Sequence, residues 1–247
     1  MRLKENMDYL THYTNVEALE KILSTKLFKF NAAKNLNDEL EGKSRDSDIP
    51  TEHMTYSSSW CEDISNDGID YMWNNYAKRE NGGIRLFAPK YIFKKYIYNH
   101  RINKPIETHL PIKYHEEFMP VEGFTQHLYK IKYTDNIDKI FPSIKLKDKD
   151  WDQYKIFELG KYKEMKWSIE REWRYCLILF NRGLNNVPKH LRTLAIQQCY
   201  PESIFVEFRY SVYKKMIVQI GRGMTNENRE RLNNLSKKYK FKIIDID

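Results

Sequence analysis

Cysteine is scarce: Cys61, Cys176 and Cys199 are the only three in 247 residues. They are odd in number and far apart, which argues against a disulfide framework. No Cys-x-x-Cys pair or Cys/His spacing offers a metal site, and a reduced, cytoplasmic setting is the expectation. Long apolar runs are missing as well. None approaches the ~20 residues of a membrane span, and Met1-Arg2-Leu3-Lys4-Glu5-Asn6 has no signal-peptide core. His100, His109, His115 and His127 form no i, i+4 ligand pair, so no metal is expected. The Gly-x-Gly-x-x-Gly dinucleotide fingerprint is absent. Gly221-Arg222-Gly223 is an isolated Gly-x-Gly and reads as a turn. Repeats, low-complexity tracts and an obvious linker are lacking too, and residues 1–247 read as one domain.

What is present is a composition that can bury a core: 41% hydrophobic and 14% aromatic. The net charge of +8 suits nucleic acid or another acidic partner. The plainer account is compositional. Lys, Asn, Ile and Tyr are all heavily used, as in an AT-rich genome, and the cations are spread along the chain.

The pattern mixes strands and helices without a strict βαβ rhythm, which points to an α+β fold. A strand over Asp8–Tyr13 ends in His12-Tyr13. Thr14-Asn15-Val16-Glu17 has capping-box spacing for a helix carrying Val16, Leu19, Ile22 and Leu23. His12 therefore lies at a strand-to-helix junction, where backbone N–H groups are free to meet an anion. Leu27–Phe30 is a short strand, and Asn35–Glu41 a polar loop. His53–Trp60 reads as a strand that includes Ser57-Ser58-Ser59. Ile69, Met72, Trp73, Tyr76 and Ala77 mark one face of an amphipathic helix. Ile84–Ala88 is a strand, with a helix expected from Pro89 to about Tyr98. Gln126–Tyr133 alternates like a strand, and Asp150–Lys166 is expected to be helical. Further strands are expected at Ser203–Phe208, Met216–Ile220 and Phe241–Ile246, with helices at Pro188–Cys199 and Thr225–Tyr239.

The most informative stretch is Lys166-Trp167-Ser168-Ile169-Glu170-Arg171-Glu172-Trp173-Arg174, leading into the apolar run Tyr175–Phe180. In an extended chain Glu170, Glu172 and Arg174 share one face. Two carboxylates and a guanidinium at the mouth of a buried strand are costly unless paired. They either pair with each other or face a cleft and hold a ligand.

His12-Tyr13, Ser57-Ser58-Ser59 and Glu170-x-Glu172 together resemble the ADP-ribosyltransferase superfamily. One branch has a Ser-Thr-Ser run and a Glu-x-Glu pair, and the other opens with His. A closer resemblance is to an uncharacterised family of bacterial and phage proteins. It is carried by His12-Tyr13-Thr14 with Ala18-Leu19, Asn37-Asp38 with Glu41, Met72-Trp73 with Tyr76-Ala77, and Trp167 with Glu170, Glu172, Trp173 and Arg174. The resemblance to the ADP-ribosyltransferase superfamily implies a split mixed β-sheet core with flanking helices. It also implies an NAD-dependent ADP-ribosyltransferase or NAD glycohydrolase, of the phage-defence or toxin type. NAD would be the substrate, and the macromolecular acceptor, protein or nucleic acid, stays open. Glu172 would stabilise the charge on the ribose, and Glu170 would orient the acceptor or a water. His12, Tyr13, Ser57, Ser59, Trp73, Tyr76 and Arg174 would contact the nucleotide.

Each residue also has a plainer role. His12 can be a strand-end histidine bonded to backbone. The Glu170–Arg174 run can be an ion-pair ladder. Trp73 and Tyr76 can be core, the serines can make turns, and Asn37, Asp38 and Glu41 can be a turn and a helix cap. Two rivals follow: a non-catalytic nucleotide- or protein-binding module of the same fold, and a basic protein that contacts nucleic acid.

Overall fold

The computed structural model describes residues 9–62, 66–77, 82–93, 102–103, 118–120, 127–146, 153–221 and 223–245. A large mixed sheet with several helices organises them. The strands are β1 (Tyr9–Asn15), β2 (Leu27–Ala32), β3 (Thr55–Cys61), β4 (Gly83–Pro89), β5 (Ile102–Asn103), β6 (Phe118–Pro120), β7 (His127–Lys130), β8 (Lys132–Tyr133), β9 (Lys145–Leu146), β10 (Gln153–Tyr154), β11 (Tyr162–Lys163), β12 (Glu172–Asn181), β13 (Ser203–Glu207), β14 (Ile217–Ile220) and β15 (Lys242–Ile244). The main path runs β15-β14-β4-β1-β3-β2-β13-β5, and β12 joins β3 on its other side and carries β6 and β7. β14 and β15 are parallel, while the other pairs of this sheet are antiparallel.

The feature that matters for function is a fork. β12 pairs with β3 along its length, from Glu172↔Cys61 to Ile178↔Thr55. On the opposite edge of β3, β1 pairs only at Thr11↔Cys61, and β2 only at Asn31↔Ser57 and Ala32↔Tyr56. Between these anchor points Ser58, Ser59 and Trp60 have no strand partner on that edge among the described residues, so β1 and β2 part and leave an opening.

Aromatic packing stiffens the sheet beneath. Phe28 meets Phe93, Phe208 and Trp60, and Phe93 meets Tyr175, at centroid separations of 4.7–5.6 Å. Each such buried ring contributes roughly 1.5–3 kcal/mol by area, and edge-on contact adds to that.

Helix α1 (Val16–Thr25) begins directly after β1. Its cap is Asn15, whose side chain accepts the Ala18 N–H at 2.8 Å, one residue later than the expected Thr14 cap. Helix α2 (Asn66–Met72) runs into a π-turn, Trp73–Ala77. This turn alters the expected amphipathic face: Met72, Trp73 and Ala77 are buried, but Tyr76 is turned outward and is 39% exposed.

Two expected helices are corrected. Asp150–Lys166 is not a helix where it is described. It holds β10, a 3-10 turn at Ile156–Glu158, β11 and the start of another 3-10 turn. Gly160 takes φ +68, which no helix interior tolerates. From Pro89 to Phe93 the chain is strand end, turn and a bridge from Phe93 to Phe208, not a helix start. The rest of that expected helix lies outside the described residues, as do His100, His109 and His115. The remaining expected strands appear within a few residues of their forecast ends.

Candidate functional site

The fork opens into a cavity of about 240 Å³. β1 supplies His12 and Tyr13, β3 supplies Ser57, Ser58 and Ser59, and β12 supplies Glu172 and Arg174. Tyr76 comes from the π-turn, and Glu170 from the turn before β12. Eight of the nine residues that the sequence pattern singles out thus line one space, although they are spread between positions 12 and 174. Trp73 does not. It is fully buried, edge-on to Tyr13 at 5.4 Å, in a small cluster with Cys61, Met72 and Ala77. It supports the floor from below, so its expected contact with a nucleotide gives way to its packing role.

His12 fills part of the gap in the sheet. Its Nδ1 lies 2.9 Å from the Ser59 carbonyl oxygen on the unpaired edge of β3. A carbonyl only accepts, so Nδ1 carries the proton. Burial lowers the imidazole pKa against the raising effect of that hydrogen bond, which favours neutral histidine. Nε2 is then an acceptor.

The acidic stretch forms a buried ion network. Arg174 grips Glu172 with two bonds, Nε to Oε1 at 2.6 Å and Nη2 to Oε2 at 3.0 Å. Lys163 donates to Glu172 Oε2 at 3.1 Å and to Glu170 Oε2 at 3.0 Å. Glu170 also accepts the Tyr76 phenol, and Arg174 Nη1 donates to Glu41. Burial pushes the Glu172 carboxyl up. The Arg174 and Lys163 charges, with hydrogen bonds from Arg174 and Ser59, outweigh burial and hold it at about 2. For Glu41 the balance reverses: burial raises its pKa more than Arg174 lowers it.

Glu170 reaches this network by a different route from the one that strand alternation implies. It ends a 3-10 turn, and Arg171 takes a left-handed φ of 43 before β12 begins at Glu172. Arg174 lines the cavity, and its donors go to Glu172, Glu41 and, at 3.4 Å, the Gly160 carbonyl. It positions Glu172. Lys163 escapes the sequence reading, which places it inside a helix. Gly160, three residues earlier, is the available signal for a break. Glu41 stands in the Asn37-Asp38-x-x-Glu41 motif, and its cap reading is replaced by a place in the network.

Several buried polar atoms of the described cavity wall have no hydrogen-bond partner: Ser57 Oγ, Glu41 Oε2 and Trp167 Nε1. Such atoms cost roughly 1–3 kcal/mol each unless a partner reaches them. Among the described residues no group of three or more His, Cys, Asp or Glu side chains is arranged to hold a metal ion.

These features define a mixed α/β protein with a polar cleft at a sheet fork. Comparison with family models, curated proteins and solved structures returns no match. Among the described residues no helix is long and apolar enough to cross a membrane.

Proposed function

We propose that the cleft binds NAD and cleaves its nicotinamide–ribose bond, passing ADP-ribose to an acceptor or to water, on an ADP-ribosyltransferase-like fold. The observation that carries this is the meeting of His12, Ser59 and Glu172 where β1 and β2 part. Breaking the C1′–N bond sends its electron pair to nicotinamide and leaves oxocarbenium character on the ribose. Glu172 is ionised at neutral pH and fixed by Arg174, so its charge is in place before the bond breaks. A ribose hydroxyl reaches it by taking the donor position of Ser59. Glu170 accepts the proton of the incoming nucleophile as the new bond to C1′ forms. His12 Nε2 and the Ser57 hydroxyl hold ribose oxygens, and Tyr76 flanks the ring. The cavity, at about 240 Å³, is slightly smaller than ordinary ligand sites of ~300–1,000 Å³. It takes the nicotinamide riboside half, with the adenosine half at the mouth.

Purified protein incubated with NAD should release nicotinamide, measured by chromatography. Glu172→Gln should abolish release while keeping the wild-type circular dichroism spectrum. Intact NAD in the presence of protein and nucleic-acid acceptors refutes the catalytic reading.

One observation favours a second reading, binding without turnover. The Glu172 carboxylate already accepts from Arg174 twice, from Lys163 and from Ser59, which fills its acceptor positions. Calorimetric titration separates the two. Heat with NAD or ADP-ribose, reduced in His12→Ala and without nicotinamide release, selects the binding module.

A further inference from the structure

Beyond the cleft, the surface around Tyr91 and Tyr210 has a distinct chemistry. Both rings are exposed, at 45% and 66%. Lys215 donates to the Tyr91 phenol at 2.6 Å and lies 5.2 Å from its ring centroid. Arg209 lies over the same ring at 6.0 Å, and Lys26 lies over Tyr210 at 5.4 Å. Backbone bonds make the surface continuous: Phe208 N–H to the Lys26 carbonyl, and Arg209 N–H to the Ile92 carbonyl.

The patch is lopsided in charge. Its cations are Lys26, Arg209, Lys214 and Lys215, and the one carboxylate within residues 23–27, 88–93 and 206–218 is Glu207. Among the described residues no carboxylate forms a salt bridge with Lys26, Arg209, Lys214 or Lys215. These four cations, interleaved with two exposed tyrosines, match a chain of phosphates and stackable bases. A membrane surface fits less well, because the large exposed side chains here are tyrosines and no exposed aliphatic residue joins them among the described residues.

We infer that this surface binds single-stranded nucleic acid, with Tyr91 and Tyr210 as stacking platforms and Lys26, Arg209, Lys214 and Lys215 on the phosphates. It is independent of the NAD reading, since none of these residues lines the cleft.

Fluorescence anisotropy with labelled single-stranded DNA and RNA dodecamers, over a salt series, tests the inference in the full chain. Wild type should bind with affinity that falls as salt rises. Lys214→Ala/Lys215→Ala should flatten the slope of log K against log salt, by about 0.7 for each phosphate no longer neutralised. Tyr210→Ala, an exposed position, should weaken binding by ~5-fold or more with little change in that slope. Both variants must keep the wild-type circular dichroism spectrum. Absence of wild-type binding at low salt overturns the inference. So does equal binding by wild type and both variants, or binding to phosphatidylserine vesicles in place of oligonucleotides.

Discussion

Replacing Glu172 and Glu41 one at a time by glutamine separates two buried carboxyls that share one guanidinium. Glu172 is held at about 2 against an ordinary 4.5. At about 1.4 kcal/mol per tenfold change in proton affinity, that depression is worth about 3 kcal/mol. The figure lies at the low end of the ~3–5 kcal/mol typical of breaking a buried pair. Because the folded pKa is depressed, the contribution is fully present well above 4.5 and is lost as pH falls from 4.5 toward about 2. Glu41 has the opposite sign. Its folded pKa is raised from 4.5, so its contribution is present below 4.5 and is lost as pH rises through the folded value. Glutamine at position 41 keeps an oxygen for Arg174 and removes a charge that burial disfavours.

Glu172→Gln should therefore lose about 3 kcal/mol at neutral pH, with the deficit shrinking in acid. Glu41→Gln should match or exceed wild type at neutral pH and lose any advantage in acid. Urea unfolding followed by tryptophan fluorescence at about pH 7, 5 and 3.5 reads both effects. Equal losses for the two variants at neutral pH refute the reasoning, as does a Glu172→Gln deficit that does not change with pH.

Gly221→Ala should cost ~1–3 kcal/mol, because the added Cβ lies 2.8 Å from the Gly83 carbonyl oxygen and 2.9 Å from the Trp73 ring; thermal unfolding measures this. Asn15→Ala removes the α1 cap and should lower stability by about 1 kcal/mol, while Thr14→Ala at the neighbouring position should cost less. Cys61 and Cys176 are buried, with thiols pushed up to about 12 and about 11. A disulfide reagent at about pH 8 should therefore modify Cys199 alone in native protein and every thiol after denaturation.

Local patterns are enough to place the main strands. Alternation and β-branched or aromatic content mark β1, β3, β12 and β13, and burial of the resulting faces fixes their register. The cluster of polar strand ends is also legible, because each charged residue stands beside an apolar run that needs covering. What escapes is geometry set by single backbone conformations or by distant partners. Tyr76 follows a helical period on paper, but the wide π-turn rotates it outward to Glu170. Lys163 has no local signature, since its burial is offset by two glutamates seven and nine positions away. Arg171 at positive φ separates Glu170 from β12 without a glycine to announce it. Whether β1 and β2 run together or diverge depends on contacts to β3 about 25 to 50 residues later, beyond the reach of periodicity.

The divergence of β1 and β2 has an evolutionary corollary. Asn31, Ser57 and Lys29 line the opening from paired strand positions, so the ladder rests on their main chain and not on the identity of their side chains. Exchange there alters what the opening recognises at little risk to the backbone ladder, whereas exchange at Arg174 or Lys163 unsettles both. Descendants of this chain can change ligand at the doorway while the charged lintel above it stays the same.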